Sequence, residues 1–342
     1  MVVSVDESVL KNIVKDLEDF LFDKARKADI SKGFEEPLLF VVDHVEVKPF
    51  TPSLHWLFVK YSTEMSEYVE RFLLRVFENE EKGHGEEIFE NALDFFNMVE
   101  NVFEDIRAIK PLKYGSSYMV FESFNGESFV SSTVPYEKKL ELAGLALSVF
   151  HGVVIEQNDP EIEEKRVAET LKQLPLSSAE KLDLKQLFDV SIFNIAKSYG
   201  NTVSFNNFTS KNLFFELLPG EKEHLTAWLI SSENFNPLIK SCRLEDIASF
   251  FIKQVIQEFK SGNINLSRTK QDLNLFLIGY NRFLDDMSST RIEEFFEGPP
   301  SLEFYIAIEV LKNPENIVPS QLQDTITFIK RLLKERPLTK DY

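Results

Sequence analysis

The chain has 342 residues, 43% of them apolar, and a formal net charge of −18 from 38 basic and 56 acidic side chains. A compact chain near this length buries roughly 75% of its unfolded surface, so it holds a core without disulfides or structural metal. The acidic field disfavours general nucleic-acid binding, and a single cysteine, Cys242, excludes an internal disulfide or a multi-cysteine metal cage.

Thirty-two Phe against 12 Gly favour long helices joined by few loops over many short strands. Val9, Leu10, Ile13, Val14, Leu17, Phe20 and Leu21 follow helical spacing, with Asp6 placed to cap them. Leu38 to Val47, rich in β-branched residues and ended by Pro49 and Pro52, reads as a strand. A pair of long helices is expected next. Met65, Val69, Phe72, Leu73 and Val76 form the stripe of the first, and Phe89, Ala92, Phe96, Val99, Phe103 and Ile106 that of the second. With Lys82-Gly83-His84-Gly85 as the turn, they make an antiparallel helical hairpin.

That hairpin is acidic. Tyr61 to Ala108 holds thirteen acidic against four basic side chains, half of the total excess. Its outer stripe contains Glu90, Asp94, Glu104 and Asp105, the expected binding face for a basic partner or for a second copy of the chain. Beyond it, Asn125-Gly126 separates two β-rich runs and suits a two-residue type I′ turn, so residues 118–134 are expected to form a β-hairpin. From Tyr136 onward the pattern is helical almost throughout, over 138–155, 161–174, 178–199, 210–231, 244–260, 267–286, 301–312 and 319–335. Ser177 with Glu180 fits a capping box at the start of the third of these.

The fold class expected is therefore mainly α. An N-terminal α+β region, 1–136, carries a small antiparallel hairpin or sheet, and an irregular all-α domain, 137–342, follows it. Leu142 to Asn158, the longest nearly uncharged stretch, is too short and polar to span a membrane. The first twenty residues lack the pattern of a secretory signal, so a reducing cytoplasm is the expected compartment.

No reaction is legible. Neither G-x-x-x-x-G-K-[ST] nor G-x-G-x-x-G occurs, and the five histidines are scattered without H-E-x-x-H. Glu221 and His224 share a face on an expected helix, but a di-iron bundle needs a second such pair and two further Glu. Cys242 reads as an inert thiol and Asp285-Asp286 as solvated loop acids. His151 lies in an apolar helix that the fold must bury; it reads as a satisfied core histidine or as a sensing position. No metal and no cofactor is expected. The function expected is that of a non-enzymatic adaptor or regulatory protein working through protein–protein contacts, without membrane insertion. The alternative is an enzyme with a site assembled from dispersed carboxylates and histidines.

Overall fold

The structure, a computed structural model, describes residues 5–50, 54–77, 81–100, 105–153, 160–174, 176–189, 201–203, 208–210, 213–218, 224–229, 240–260, 267–286, 304–305 and 308–309. They fall into two units, Met1–Glu100 with Ala108–Asn125, and Asn101–Arg107 with Gly126–Tyr342.

The first unit begins with α1 (Glu7–Ser31), whose cap is Asp6 accepting from the Ser8 amide at 2.8 Å. Ile13, Leu17, Leu21 and Ala25 recur every fourth residue, so they line one stripe, and all four are buried. That stripe lies on an antiparallel sheet of β1 (Phe40–Pro49), β2 (Leu54–Thr63), β3 (Glu67–Val76), β5 (Pro111–Gly115) and β6 (Tyr118–Glu122), ordered β1-β2-β3-β6-β5. Leu57, Val59 and Tyr61 of β2, Phe72 and Leu74 of β3, and Tyr118 and Val120 of β6 meet it. Burying each such side chain contributes about 1.5–3 kcal/mol. The opposite face follows from the register. Phe58 pairs with Arg71, and Trp56 with Leu73, which in turn pairs with Phe121. Helix α2 (Gly85–Val99) is inserted between β3 and the last strands, and its Phe89 packs on Tyr114 with ring centroids 4.9 Å apart.

In the second unit, β4 (Ile106–Ala108), β7 (Glu127–Ser128), β9 (Leu213–Leu218) and β10 (His224–Leu229) form a sheet ordered β4-β10-β9-β7. A two-stranded ribbon joins β8 (Asn201–Val203) to β11 (Lys240–Cys242). The described helices are α3 (Tyr136–Val153), α4 (Pro160–Gln173), α5 (Ser178–Leu187), α6 (Arg243–Lys260) and α7 (Ser267–Asp286). Helices α3 and α7 cross at a pair of glycines. A Cβ on Gly144 would lie 1.9 Å from the Phe276 carbonyl oxygen, and one on Gly279 would lie 1.8 Å from that of Glu141. Only glycine permits so close an approach of two backbones.

The expectation of a mainly α fold is corrected. Residues 67–76 form β3, not a helix, so the acidic helical hairpin does not exist; residues 61–108 contain the end of β2, then β3, α2 and β4. Val69, Phe72, Leu73 and Val76 of the expected stripe lie on this central strand, and from Phe72 to Arg75 it is buried on both faces, so strict alternation is lost there. The hairpin at Asn125-Gly126 is also absent. Phe121 pairs with Leu73 and Pro111, and β7 pairs with β9. Among the described glycines, only Gly33 and Gly83 have positive φ. Nor is the second unit all α, because the stretch expected as one helix over 210–231 holds β9 and β10, antiparallel to each other. Among the described residues no helix is long and apolar enough to cross a membrane.

Candidate functional site

Of the residues singled out in the sequence, Glu90 and Asp94 lie on α2. Asp105 follows that helix and accepts from Arg282 Nη1 at 3.2 Å. Glu104 lies outside the described residues, as does Glu221, and His224 opens a strand, so no helical Glu-x-x-His pair forms. Among the described residues no group of three or more His, Cys, Asp or Glu is arranged to hold a metal ion.

His151 sits on α3 with none of its surface exposed. Its Nδ1 is 2.6 Å from the Tyr280 hydroxyl on α7, and its Nε2 is 3.0 Å from Asp246 Oδ2 on α6. The carboxylate only accepts, so Nε2 carries the proton and Nδ1 accepts from Tyr280; this tautomer follows from the network. Three helices are thus pinned by a neutral imidazole. Burial pushes its pKa below the ordinary value of 6.5, Asp246 opposes that shift, and Arg243 adds to it. A histidine held neutral by the fold contributes stability that is fully present above about 6.5 and is lost as pH falls below it. Urea unfolding at pH 7.5 and 5.5 is expected to show a loss in the parent of up to about 1.4 kcal/mol per pH unit from this one proton. His151→Phe is expected to show a smaller acid loss; an equal loss would remove His151 as the titrating group.

A second buried network lies beside it. Glu163 on α4 holds Arg166 in a fork, Oε2 to Nε at 3.0 Å and Oε1 to Nη2 at 2.6 Å, and Oε1 also accepts from the Tyr305 hydroxyl at 2.6 Å. Arg166 Nη1 pairs with Glu245, the residue before Asp246 in the first turn of α6. These carboxylates are committed to internal partners, and the arrangement holds helices together without offering a free acid or base.

The site with open chemistry is on the first unit, on the sheet face away from α1. Trp56 and Phe58 are alternate residues of β2 and point to that face, with Lys48 of β1 and Arg71 of β3 beside them through the register. Each ring carries a cation. The Arg71 guanidinium carbon stands 4.5 Å from the Trp56 ring centroid, and Lys48 Nζ stands 4.8 Å from that of Phe58. Trp56 packs further on Phe50 at 4.8 Å and on Phe124 at 5.4 Å. Arg71 Nη2 donates to the Phe124 carbonyl oxygen at 2.6 Å and to Asn125 Oδ1 at 2.7 Å. Lys48 pairs with Glu46 at 3.1 Å, both well exposed, so that pair holds little energy. Two cations over two adjacent rings give this face a basic character on an otherwise acidic chain. Sequence reading missed it because Arg71 was placed on a helix; the run of aromatic and β-branched residues Trp56, Phe58, Val59 and Tyr61 was the available strand signal.

No family model matches the chain, and no curated protein does. Solved structures do. An ethanolamine kinase from Plasmodium vivax is 11% identical over 85% of this chain and 81% of its own, with a TM-score of 0.48. A choline/ethanolamine kinase family protein from Mesorhizobium loti is 11% identical over 94% and 98%, with a TM-score of 0.44. An ADP-bound aminoglycoside phosphotransferase is 11% identical over 98% and 100%, with a TM-score of 0.46. These comparisons correct the expectation of a non-enzymatic adaptor or regulatory protein. All three neighbours are named as kinases or phosphotransferases, and the alternative of an enzyme is the reading they favour. With TM-scores below 0.5, they give no residue of this chain a role.

Proposed function

We propose that the chain is an enzyme of the phosphoryl-transfer class, and that the Trp56–Phe58 face of its first unit takes the base of a nucleotide. The observation that supports this is the pair of neighbouring rings, each overlaid by a cation, Arg71 and Lys48. A base stacks on an aromatic face for about 1–3 kcal/mol whatever its identity. The guanidinium fork suits a phosphate as two parallel hydrogen bonds. A cytoplasmic setting, where nucleotides are abundant, accords with the lone Cys242.

The residues present fit the base and one anionic group. They do not fit the metal-bound triphosphate of a protein kinase, where a glycine-rich loop, a strand lysine and acidic metal ligands surround the phosphates. The β1–β2 connection, Pro49-Phe50-Thr51-Pro52-Ser53, has no glycine, and β3 carries arginines instead of lysine. Arg75, the second of these, is buried and pairs with Glu81. No histidine in the sequence is followed two positions later by Asp, and D-F-G does not occur. The test is titration calorimetry with ADP. Binding is expected for the parent chain, and Trp56→Ala is expected to weaken it about tenfold, with the far-UV spectrum unchanged. Absence of binding at millimolar ADP, or equal binding by Trp56→Ala, would overturn the reading.

A further inference from the structure

We infer that Arg71 is a latch on this face, one that admits a planar ligand only when the ligand brings an anion to take the guanidinium. The inference rests on the nucleotide reading above and adds selectivity to it. The guanidinium lies 4.5 Å over Trp56, inside the 4.5–7 Å range at which a second ring would stack. Arg71 and a base therefore compete for that side of the indole. What holds Arg71 there is one Nη2 shared between the Phe124 carbonyl oxygen at 2.6 Å and Asn125 Oδ1 at 2.7 Å, in the segment directly after β6. Asn125 is exposed and Arg71 half-buried, so the contact opens without disturbing the core. Hydrogen bonds to a charged group are the stronger kind, and water at this half-open edge replaces only part of them. A neutral planar ligand that displaces the guanidinium gives nothing back, whereas a phosphate accepts the fork and replaces what was lost.

Removing the latch should accordingly move two ligands in opposite directions. In the parent, ADP is expected to bind at least about tenfold more tightly than adenosine. In Arg71→Ala, adenosine is expected to bind more tightly than in the parent and ADP more weakly, so that the preference collapses. A parallel weakening of both ligands would overturn the latch and leave Arg71 as an ordinary contact. A second readout needs no nucleotide. In a Trp228→Phe background Trp56 is the only indole, and its quenching by acrylamide is expected to rise in Arg71→Ala. Unchanged quenching would overturn the latch even if ADP binds. Raised quenching with no binding of either ligand by either protein would support the latch and overturn the nucleotide reading instead.

Discussion

Gly144→Val is expected to destabilise the second unit by about 3 kcal/mol or more, the upper part of the range for overpacked cores. The new Cβ begins 1.9 Å from the Phe276 carbonyl oxygen and 2.9 Å from the Tyr280 amide nitrogen. Those are backbone atoms of a helix, so no rotamer relieves the clash, and α3 and α7 must separate. Separation also loosens buried neighbours, Leu145, Val149, Phe276 and Tyr280. For a unit of this size such a loss corresponds to a melting temperature lower by roughly 10 °C. Gly279→Ala acts on the same crossing from the other side, with its Cβ 1.8 Å from the Glu141 carbonyl oxygen. Ile278→Ala, at a position 61% exposed on the same helix, is the control, expected within about 0.5 kcal/mol of the parent. Thermal melting followed by circular dichroism decides it. A Gly144→Val protein that melts with its parent would mean that the helices do not meet at this residue.

Arg166→Met is expected to cost about 3–5 kcal/mol, the usual result of removing one partner of a buried ion pair. Glu163 is 1% exposed and loses both bonds of the fork, keeping the Tyr305 hydroxyl, while Glu245 loses its bridge to α4. The double variant Arg166→Met with Glu163→Leu is expected to recover part of the loss, since two apolar side chains leave only the Glu245 carboxylate to rehouse. Because the pair is buried, the cost should change little between 0.1 and 1 M salt, where the Debye length falls from about 10 to about 3 Å. Urea titration, which leaves ionic strength free, measures all three. A single variant as stable as the parent would make the network peripheral.

Local chemistry was legible in the sequence and non-local pairing was not. Asp6 caps α1 as its position suggested, and Ser177 with Glu180 forms the capping box in full, the Glu180 amide donating to Ser177 Oγ at 3.3 Å and the Ser177 amide to Glu180 Oε2 at 3.1 Å. Both are settled within four residues. β1 was also readable, because its β-branched residues and the prolines that close it are local signals. β3, β9 and β10 were not. β3 is paired on both sides, and Phe72 to Arg75 are buried whichever face they point to, so the alternation that would mark a strand is lost there. Asn125-Gly126 carried the right turn chemistry, but Phe121 and Val120 find partners on β3 and β5 together, which a two-stranded hairpin cannot offer. The candidate site failed to appear for the same reason: Lys48, Trp56 and Arg71 become neighbours only through the register of three strands. His151 was singled out correctly as buried, whereas Asp246 and Tyr280, which complete its network, lie on helices far along the chain.

The glycine crossing also bears on how the chain is made. From Leu140 to His151 every residue of α3 except Glu141 is buried, so this helix has almost no face suited to water. Its partner α7 leaves the ribosome only after Gly279 has been added, which at 5–20 residues per second is roughly ten seconds later. Throughout that interval an oily helix waits without the surface that covers it, and the intervening strands and loops must be threaded before it is sheltered. The nascent chain therefore has a window in which chaperone capture competes with aggregation. The length of that window is set by the order of elements in the gene, and mutations on the finished surface do not shorten it.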